Sequence, residues 1–299
     1  MGAGMKLNLV HDESEALEIH YGGQQLLRYV YVAPEAQLES PRPYFHPLRT
    51  LSGEIVSLYR PHDHVWHKGL AWSLPNVAEA NFWGGVTYLR NGGYQQLANN
   101  GTQAHRDFSH LEGDGFAHRL EWITEPGEHW FDEQRRVSVA VHPEEDAWSL
   151  GFETSLTNVS GREIVIGSPT TEGRENAGYG GLFWRGPRSF SSGLVFAPGL
   201  AGSDELMGIH APWLGFSGKH DETGRTSTLV FVDDTQNFNY PTKWFVRARM
   251  FACVCPAPFF DTEYRFAPQT NLTLRYRVII GDGERDYASV AKLAELGTA

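Results

Sequence analysis

From Phe116 onward the chain alternates apolar and polar residues with a period of two, and this alternation limits what it can fold into more than any other feature. Val137, Val139 and Val141 share one face of a first segment. Trp148, Leu150, Phe152, Thr154 and Leu156 share one face of the next, and the intervening His142-Pro143-Glu144-Glu145-Asp146 has turn chemistry. Asn158-Val159-Ser160-Gly161 supplies another turn before Ile164, Val165 and Ile166. Residues 228–232, 244–254 and 272–280 alternate likewise, the last with Leu272, Leu274, Tyr276, Val278 and Ile280 on one face and Arg275 and Arg277 on the other. A helical period occurs once, over residues 288–296, with Asp286 as N-cap, Val290, Leu293 and Leu296 on one stripe and Gly297 as the stop. That helix is expected to pack on a sheet edge. So many strands with one late helix exclude βαβ folds and predict an all-β protein, a large antiparallel β-sandwich with one C-terminal helix. No repeat, low-complexity run or flexible linker divides residues 1–299, so one domain is expected.

The 36 acidic against 25 basic residues give a formal charge of −11, which repels phosphate backbones and anionic bilayers, so neither nucleic acid nor membrane is an expected partner. No apolar stretch approaches the roughly 20 residues of a membrane span. Residues 1–10 lack the apolar core of a signal peptide and run into His11-Asp12-Glu13, so a cytoplasmic address is the expectation. Cys253 and Cys255, two apart on a strand, read as reduced core residues. The exposed edges of a large sandwich leave room for a homodimer.

Two segments, 41–101 and 168–215, break the alternation and hold most of the unusual residues, as loops on a rigid scaffold do when they carry a site. The first contains Arg60-Pro61-His62-Asp63-His64-Val65-Trp66-His67-Lys68. If extended, it projects His62 and His64 from one face, and a turn near Val65 brings His67 alongside. Three imidazoles around one point can bind a divalent transition metal or divide the work of general acid and general base. The plain alternative is a polar turn whose histidines cap backbone carbonyls. The second segment contains Thr170-Thr171-Glu172-Gly173-Arg174 and Gly178-Tyr179-Gly180-Gly181-Leu182-Phe183-Trp184-Arg185-Gly186, where glycines allow close backbone approach and Phe183 and Trp184 offer flat faces for a pyranose ring. Arg174, Arg185 and Arg188 supply planar donors, and Glu172 is the carboxylate suited to act as base or as a fourth ligand. A glycine-rich hairpin with paired Arg and Glu would explain the same residues structurally.

Tyr44-Phe45-His46-Pro47-Leu48-Arg49-Thr50 and Asn81-Phe82-Trp83-Gly84-Gly85 can line the same pocket, although Phe45, Phe82 and Trp83 suit burial better. His105, His110 and His118 share no spacing and read as surface or capping residues. Arg247 and Arg249 alternate with Cys253 and either reach a solvated cavity or pair with acids across the sheet.

The segments 43–50, 60–64 with 67–70, 81–84 and 178–186 together resemble a bacterial family labelled methane oxygenase PmoA. The methane monooxygenase subunit of that name spans membranes, whereas this chain has no segment long enough to do so. Members of the resembled family lie beside sugar-oxidising dehydrogenases, which implies a sugar or keto-sugar substrate. Phe266-Ala267-Pro268 followed by Asn271-Leu272-Thr273-Leu274-Arg275-Tyr276-Arg277-Val278-Ile279-Ile280-Gly281-Asp282-Gly283 also resembles the last core strand of galactose-mutarotase-like supersandwiches. Those enzymes move protons on a sugar ring with histidines and a carboxylate, roles that His62, His64, His67 and Glu172 would take here. The resulting expectation is a carbohydrate-active isomerase, lyase or hydrolase working by His/Glu proton transfer, with or without a divalent metal on His62, His64 and His67. Substrate would be held by His46, Arg49, Lys68, Trp83, Arg174, Tyr179, Trp184 and Arg185. A non-catalytic sugar-binding or sensing protein is the alternative, and a copper oxygenase is what the family label would imply.

Overall fold

In the computed structural model, which describes residues 5–12 and 14–297, the alternating segments pair into two large antiparallel sheets. The expectation about residues 1–10 thus falls partly outside the described residues. The nine-stranded sheet runs in the order Leu200–Gly202, Leu194–Ala197, Trp213–Lys219, Thr226–Asp233, Asn271–Asp282, Ala147–Asn158, His129–His142, Gly115–Ile123, Thr102–Glu112. Its central strands pair in unbroken register, Phe152 opposite both Val137 and Tyr276. The eight-stranded sheet runs Leu7–Asp12, Ala16–Tyr21, Gln24–Val30, Tyr44–Leu48, Leu70–Ser73, Gly181–Arg185, Cys253–Ala257, Lys243–Arg247. Between the two lies the main core, where Trp72 meets Phe152 at 6.3 Å and Trp184 meets Phe216 at 5.4 Å and Phe231 at 5.8 Å between ring centroids. The fold is therefore an all-β antiparallel sandwich with one α-helix among the described residues.

Several local expectations need correction. The segments 41–101 and 168–215 contribute central strands of the eight-stranded sheet; Leu70–Ser73 and Gly181–Arg185 are buried on both faces and so carry no period-two signature. Residues 244–254 form parts of two strands joined by a reversal, so Arg247 pairs opposite Cys253 while Arg249 sits in the connecting turn. The helix, Tyr287–Glu295, is capped by Asp286, whose carboxylate accepts from the Ser289 N–H at 2.8 Å. Val290, Leu293 and Ala294 cover Phe196, Val230, Val232 and Ile279, which places the helix on the outer face of the nine-stranded sheet and not on an edge. His118 is not a surface residue but lies fully buried in the interior, bonded to Tyr29 and His105.

No helix among the described residues is long and apolar enough to cross a membrane.

Candidate functional site

Strand geometry divides the eight-stranded sheet into two sets of side chains. Leu182, Trp184, Trp244, Val246 and Val254 point into the main core. Phe183, Phe245, Cys253 and Cys255 form a separate apolar cluster on the outer face with Trp83, Phe260 and the flanking Trp66, Tyr179 and Phe251. Register sets Arg185 and Arg247 on either side of Cys253 in one row, and Phe245 beside Cys255 in the next. Above this floor, loops enclose a cavity of about 440 Å³, within the roughly 300–1,000 Å³ range of small-molecule sites. Trp66, Trp83, Tyr179, Phe183, Phe245 and Phe251 form its aromatic walls, and His64, His67, Tyr94, Arg174 and Arg247 supply its polar groups.

Local sequence explains how the walls are held. The buried Asn81 side chain accepts from the N–H groups of Trp83 (2.8 Å) and Gly84 (2.9 Å) and donates to Thr87 Oγ1 (3.0 Å), closing a turn that presents Trp83. Gly85, at φ +67°, passes directly over the Trp66 indole; a Cβ there would lie 2.7 Å from the ring. Buried Arg42 donates to the Trp66 carbonyl at 2.6 Å. Tyr179 packs tilted against Trp83, with centroids 4.8 Å apart and 43° between planes, and shares a hydrogen bond with Tyr94 (2.9 Å), while Arg174 donates to the Tyr94 hydroxyl and lies over its ring.

Two imidazoles meet at one end of the cavity. His64 and His67 stack with centroids 4.7 Å apart and 16° between planes. A guanidinium only donates, so Arg185 Nη1, 3.1 Å from His67 Nδ1, assigns that nitrogen as acceptor and leaves the proton on Nε2. A carboxylate only accepts, so Asp63 Oδ2, 3.1 Å from His64 Nδ1, places the proton of neutral His64 on Nδ1 and leaves Nε2 as the free base. Burial, reinforced by the neighbouring His64 ring and the Arg185 guanidinium, pushes His67 well below the usual 6.5, so it is neutral near pH 7. Partial burial of Asp63 is outweighed by its hydrogen bond to His64 and by the Arg185 guanidinium, which bring its carboxyl down to about 2. Burial lowers Arg185 despite Asp63, and its Nε has no partner. Burial holds the Cys253 thiol up at about 12, against the pull of Arg185, so it is an inert floor residue.

The expected site residues therefore separate. His64, His67, Trp83, Arg174 and Tyr179 line the cavity, and Arg185 stands behind His67. His62 is exposed and outside the cavity lining, with Nδ1 3.0 Å from Arg188 Nη2, and the three histidines do not bring their ligand atoms within 4.8 Å of one another. Guanidinium groups against two of the rings are poor company for a metal cation. Among the described residues, the ligand atoms that do lie within 4.8 Å of one another belong to Glu121, His129 and Asp132, on the nine-stranded sheet, where Glu121 is already paired with Arg106. Trp184 is in the inter-sheet core, its N–H donating to the Val56 carbonyl at 2.7 Å; on a strand it cannot share a face with Arg185. Lys68 is buried against Glu35 and Glu39. His46 bonds Ser57 (2.9 Å) and is held at about 4 by burial and Arg49, and Arg49 donates to the Gly53 carbonyl (2.9 Å). Glu172 lies on a surface turn, 3.7 Å from Arg90. Sequence reasoning missed Trp66, Tyr94, Phe245 and Phe251 as walls and Asp63 as the partner of His64. Only Asp63 and Trp66, inside the histidine cluster, carried a local signal.

A second cavity, about 370 Å³ on the outer face of the nine-stranded sheet, holds no histidine, and its charges are largely engaged: Arg275 with Glu153 at 2.6 Å, Asp233 with Asn237 and the Thr242 N–H at 2.8 Å each.

Fold and site together define an antiparallel β-sandwich that carries an aromatic, histidine-bearing cavity on an outer sheet face. The chain belongs to DUF6807, a family of unknown function, whose model matches residues 16–295. That description lends no support to the methane oxygenase label. No curated protein matches the chain. Solved structures similar to it include a galactose mutarotase related enzyme from Lactobacillus acidophilus (9% identity over 94% of this chain and 99% of that one, TM-score 0.38). A galactose mutarotase/aldose epimerase homologue from C. elegans is similar at 10% identity over 95% and 100%, TM-score 0.33. An alpha-galactosidase from Lactobacillus brevis is similar at 11% identity, where the match spans 98% of this chain but only 42% of the galactosidase, TM-score 0.38. At such scores the likeness is too loose to transfer an activity or a residue.

Proposed function

We propose that the cavity binds a carbohydrate and that the His64–His67 pair moves a proton on it. The observation that carries this is the pair itself: two stacked rings at the edge of an aromatic-walled cavity, whose hydrogen-bond partners assign a lone pair to His64 Nε2 and a proton to His67 Nε2. His64 acts as general base, with Asp63 holding its tautomer and stabilising the imidazolium that forms; Asp63 is a positioning residue. His67, neutral and tied at Nδ1 by Arg185, donates to the oxygen where charge develops. Trp66, Trp83 and Tyr179 supply the flat apolar faces a pyranose stacks on. A base and a donor side by side suit isomerisation or elimination on a sugar or keto-sugar, and hydrolysis uses the same two roles.

The test incubates wild type and His64→Ala with monosaccharides and their 3-keto forms in D₂O, following solvent exchange and product by NMR and affinity by calorimetry. His64→Ala should lose about 10²–10⁴-fold in exchange or turnover while keeping its affinity within a few-fold. Turnover that persists while affinity drops would overturn the catalytic reading and leave a sugar-binding protein.

A further inference from the structure

The polar groups of the cavity are unbalanced in a way that bears on what it holds. The chain has 36 acidic residues against 25 basic ones, yet among the described residues the lining contains no aspartate or glutamate. It contains Arg174 and Arg247, five N–H donors each and no acceptor, together with the donating Nε2 of His67. The Tyr94 hydroxyl is already engaged by Arg174 and Tyr179. Among these ring and guanidinium nitrogens, His64 Nε2 is the one acceptor.

A neutral sugar presents hydroxyls that each donate as well as accept, and such a lining would leave most of their protons unmatched at a cost. A carboxylate is acceptor-only and fits it. Arg174 has no carboxylate partner among the described residues, and Arg247 is held only at long range by Asp204, whose Oδ1 already accepts from the Ala248 and Arg249 N–H groups. Arg174 rests on a neutral phenol, and the Asp204 carboxylate nearest Arg247 is 4.0 Å away, at the outer limit of an ion pair. Arg247 also shares its row with Arg185, with only the small Cys253 between them, so the floor carries two guanidinium groups two strands apart, of which Arg185 is paired with Asp63 at 3.2 Å and Arg247 is the one turned to the cavity.

We infer that the ligand is an anionic carbohydrate, a sugar acid whose carboxylate is received by Arg247 and Arg174 while its ring stacks on the aromatic walls. This rests on the carbohydrate reading above and narrows it. A charged recognition of this kind weakens with salt, and each lost charge-assisted contact is worth about tenfold or more in affinity.

The test is calorimetry on the intact protein with glucose and galactose against glucuronate, galacturonate and gluconate, at low and high salt, with inorganic sulfate as competitor. Acids should bind about tenfold or more tighter than the neutral sugars, lose that margin in Arg247→Gln and Arg174→Gln, and weaken with salt. Should a variant misfold, the salt dependence of the unmodified protein decides alone. Equal binding of acids and neutral sugars, insensitive to salt, overturns the inference and leaves the carbohydrate reading standing. Sulfate competing as well as the sugar acids overturns it too, because the site would then read charge alone. Binding of neither kind of sugar removes both.

Discussion

Two buried polar regions of this molecule use nearly the same residues and behave oppositely. In the interior between the sheets, Arg135 spends every nitrogen: Nε and Nη2 on Glu133 (2.7 and 2.9 Å), Nη1 on Tyr29 (3.0 Å), Nη2 also on Gln103 (2.9 Å). Glu133 in turn accepts from Trp122 (2.7 Å) and Thr154 (2.8 Å). Both nitrogens of His118 are used, on Tyr29 (2.9 Å) and His105 (3.0 Å). Under the cavity, Arg185 leaves Nε unpartnered and shares Asp63 with Arg188 and His64, and the bond shown for His67 uses Nδ1. The difference shows in basicity: burial of Arg135 is overcome by Glu133, which raises it, whereas burial of Arg185 prevails over Asp63 and lowers it. Residue type does not separate a structural network from a site here; saturation does. A closed set of partners fixes a core, and an open one leaves valence for a ligand.

The strongest way to break this comparison is to open the closed network. Glu133→Gln strands the charge of fully buried Arg135, and removing one partner of a buried pair costs about 3–5 kcal/mol. Chemical denaturation should show a loss of that size with no specific effect on sugar affinity in the fraction that folds. A loss under about 1 kcal/mol would mean the interior network is as loosely held as the cavity, and the distinction would fail.

A smaller effect sharpens it. His118 and His67 are both pushed well below 6.5, chiefly by burial. Unfolded, each ring takes up a proton as pH falls through about 6.5; folded, neither does until the pH reaches its depressed value. The unfolded state therefore binds more protons below pH 6.5, and stability falls with falling pH by up to about 1.4 kcal/mol per unit for each ring. Above pH 7 this contribution is flat. His118→Gln and His67→Gln should each remove about one ring's share of the slope between pH 6.5 and the depressed value, while only His67→Gln abolishes turnover. Unfolding midpoints across that window check the first half; a slope unchanged in His118→Gln would mean the interior imidazole titrates freely.

The one-sided strands were open to reading because their alternation has a single explanation. Val137 to Leu156 and Leu272 to Ile280 each bury one face of the nine-stranded sheet. Gly181–Arg185 is buried throughout, so period two says nothing about which residues face the other sheet. Yet parity alone excludes Trp184 and Arg185 from sharing a ligand, and the sequence contained that much. The 60–70 cluster pointed to His64 and His67, but Lys68 in the same run belongs to Glu35 and Glu39, whose approach depends on how the chain between them folds. Tyr94 comes from one segment and Phe245 and Phe251 from another, both far in the chain from the histidine cluster, and nothing local marks them.

The smallest expected effect concerns a carboxylate the sequence made prominent. Glu172 stands outside the cavity on the 168–176 turn, fixed by Ser168 and Thr170 through backbone bonds, and its partner Arg90 is exposed at 3.7 Å. An exposed pair of this kind contributes about 0–1 kcal/mol. Glu172→Gln should therefore leave both stability and turnover within a few-fold of wild type, whereas Asp63→Asn, which strips His64 of the group that orients it, should lower turnover and change its pH profile with little change in sugar affinity. Turnover measured against pH for both variants decides. If Glu172→Gln is the inactive one, the 168–176 turn must swing inward when ligand binds, carrying a carboxylate to the very lining that now has none, and the open network beneath the cavity would be only half of the site.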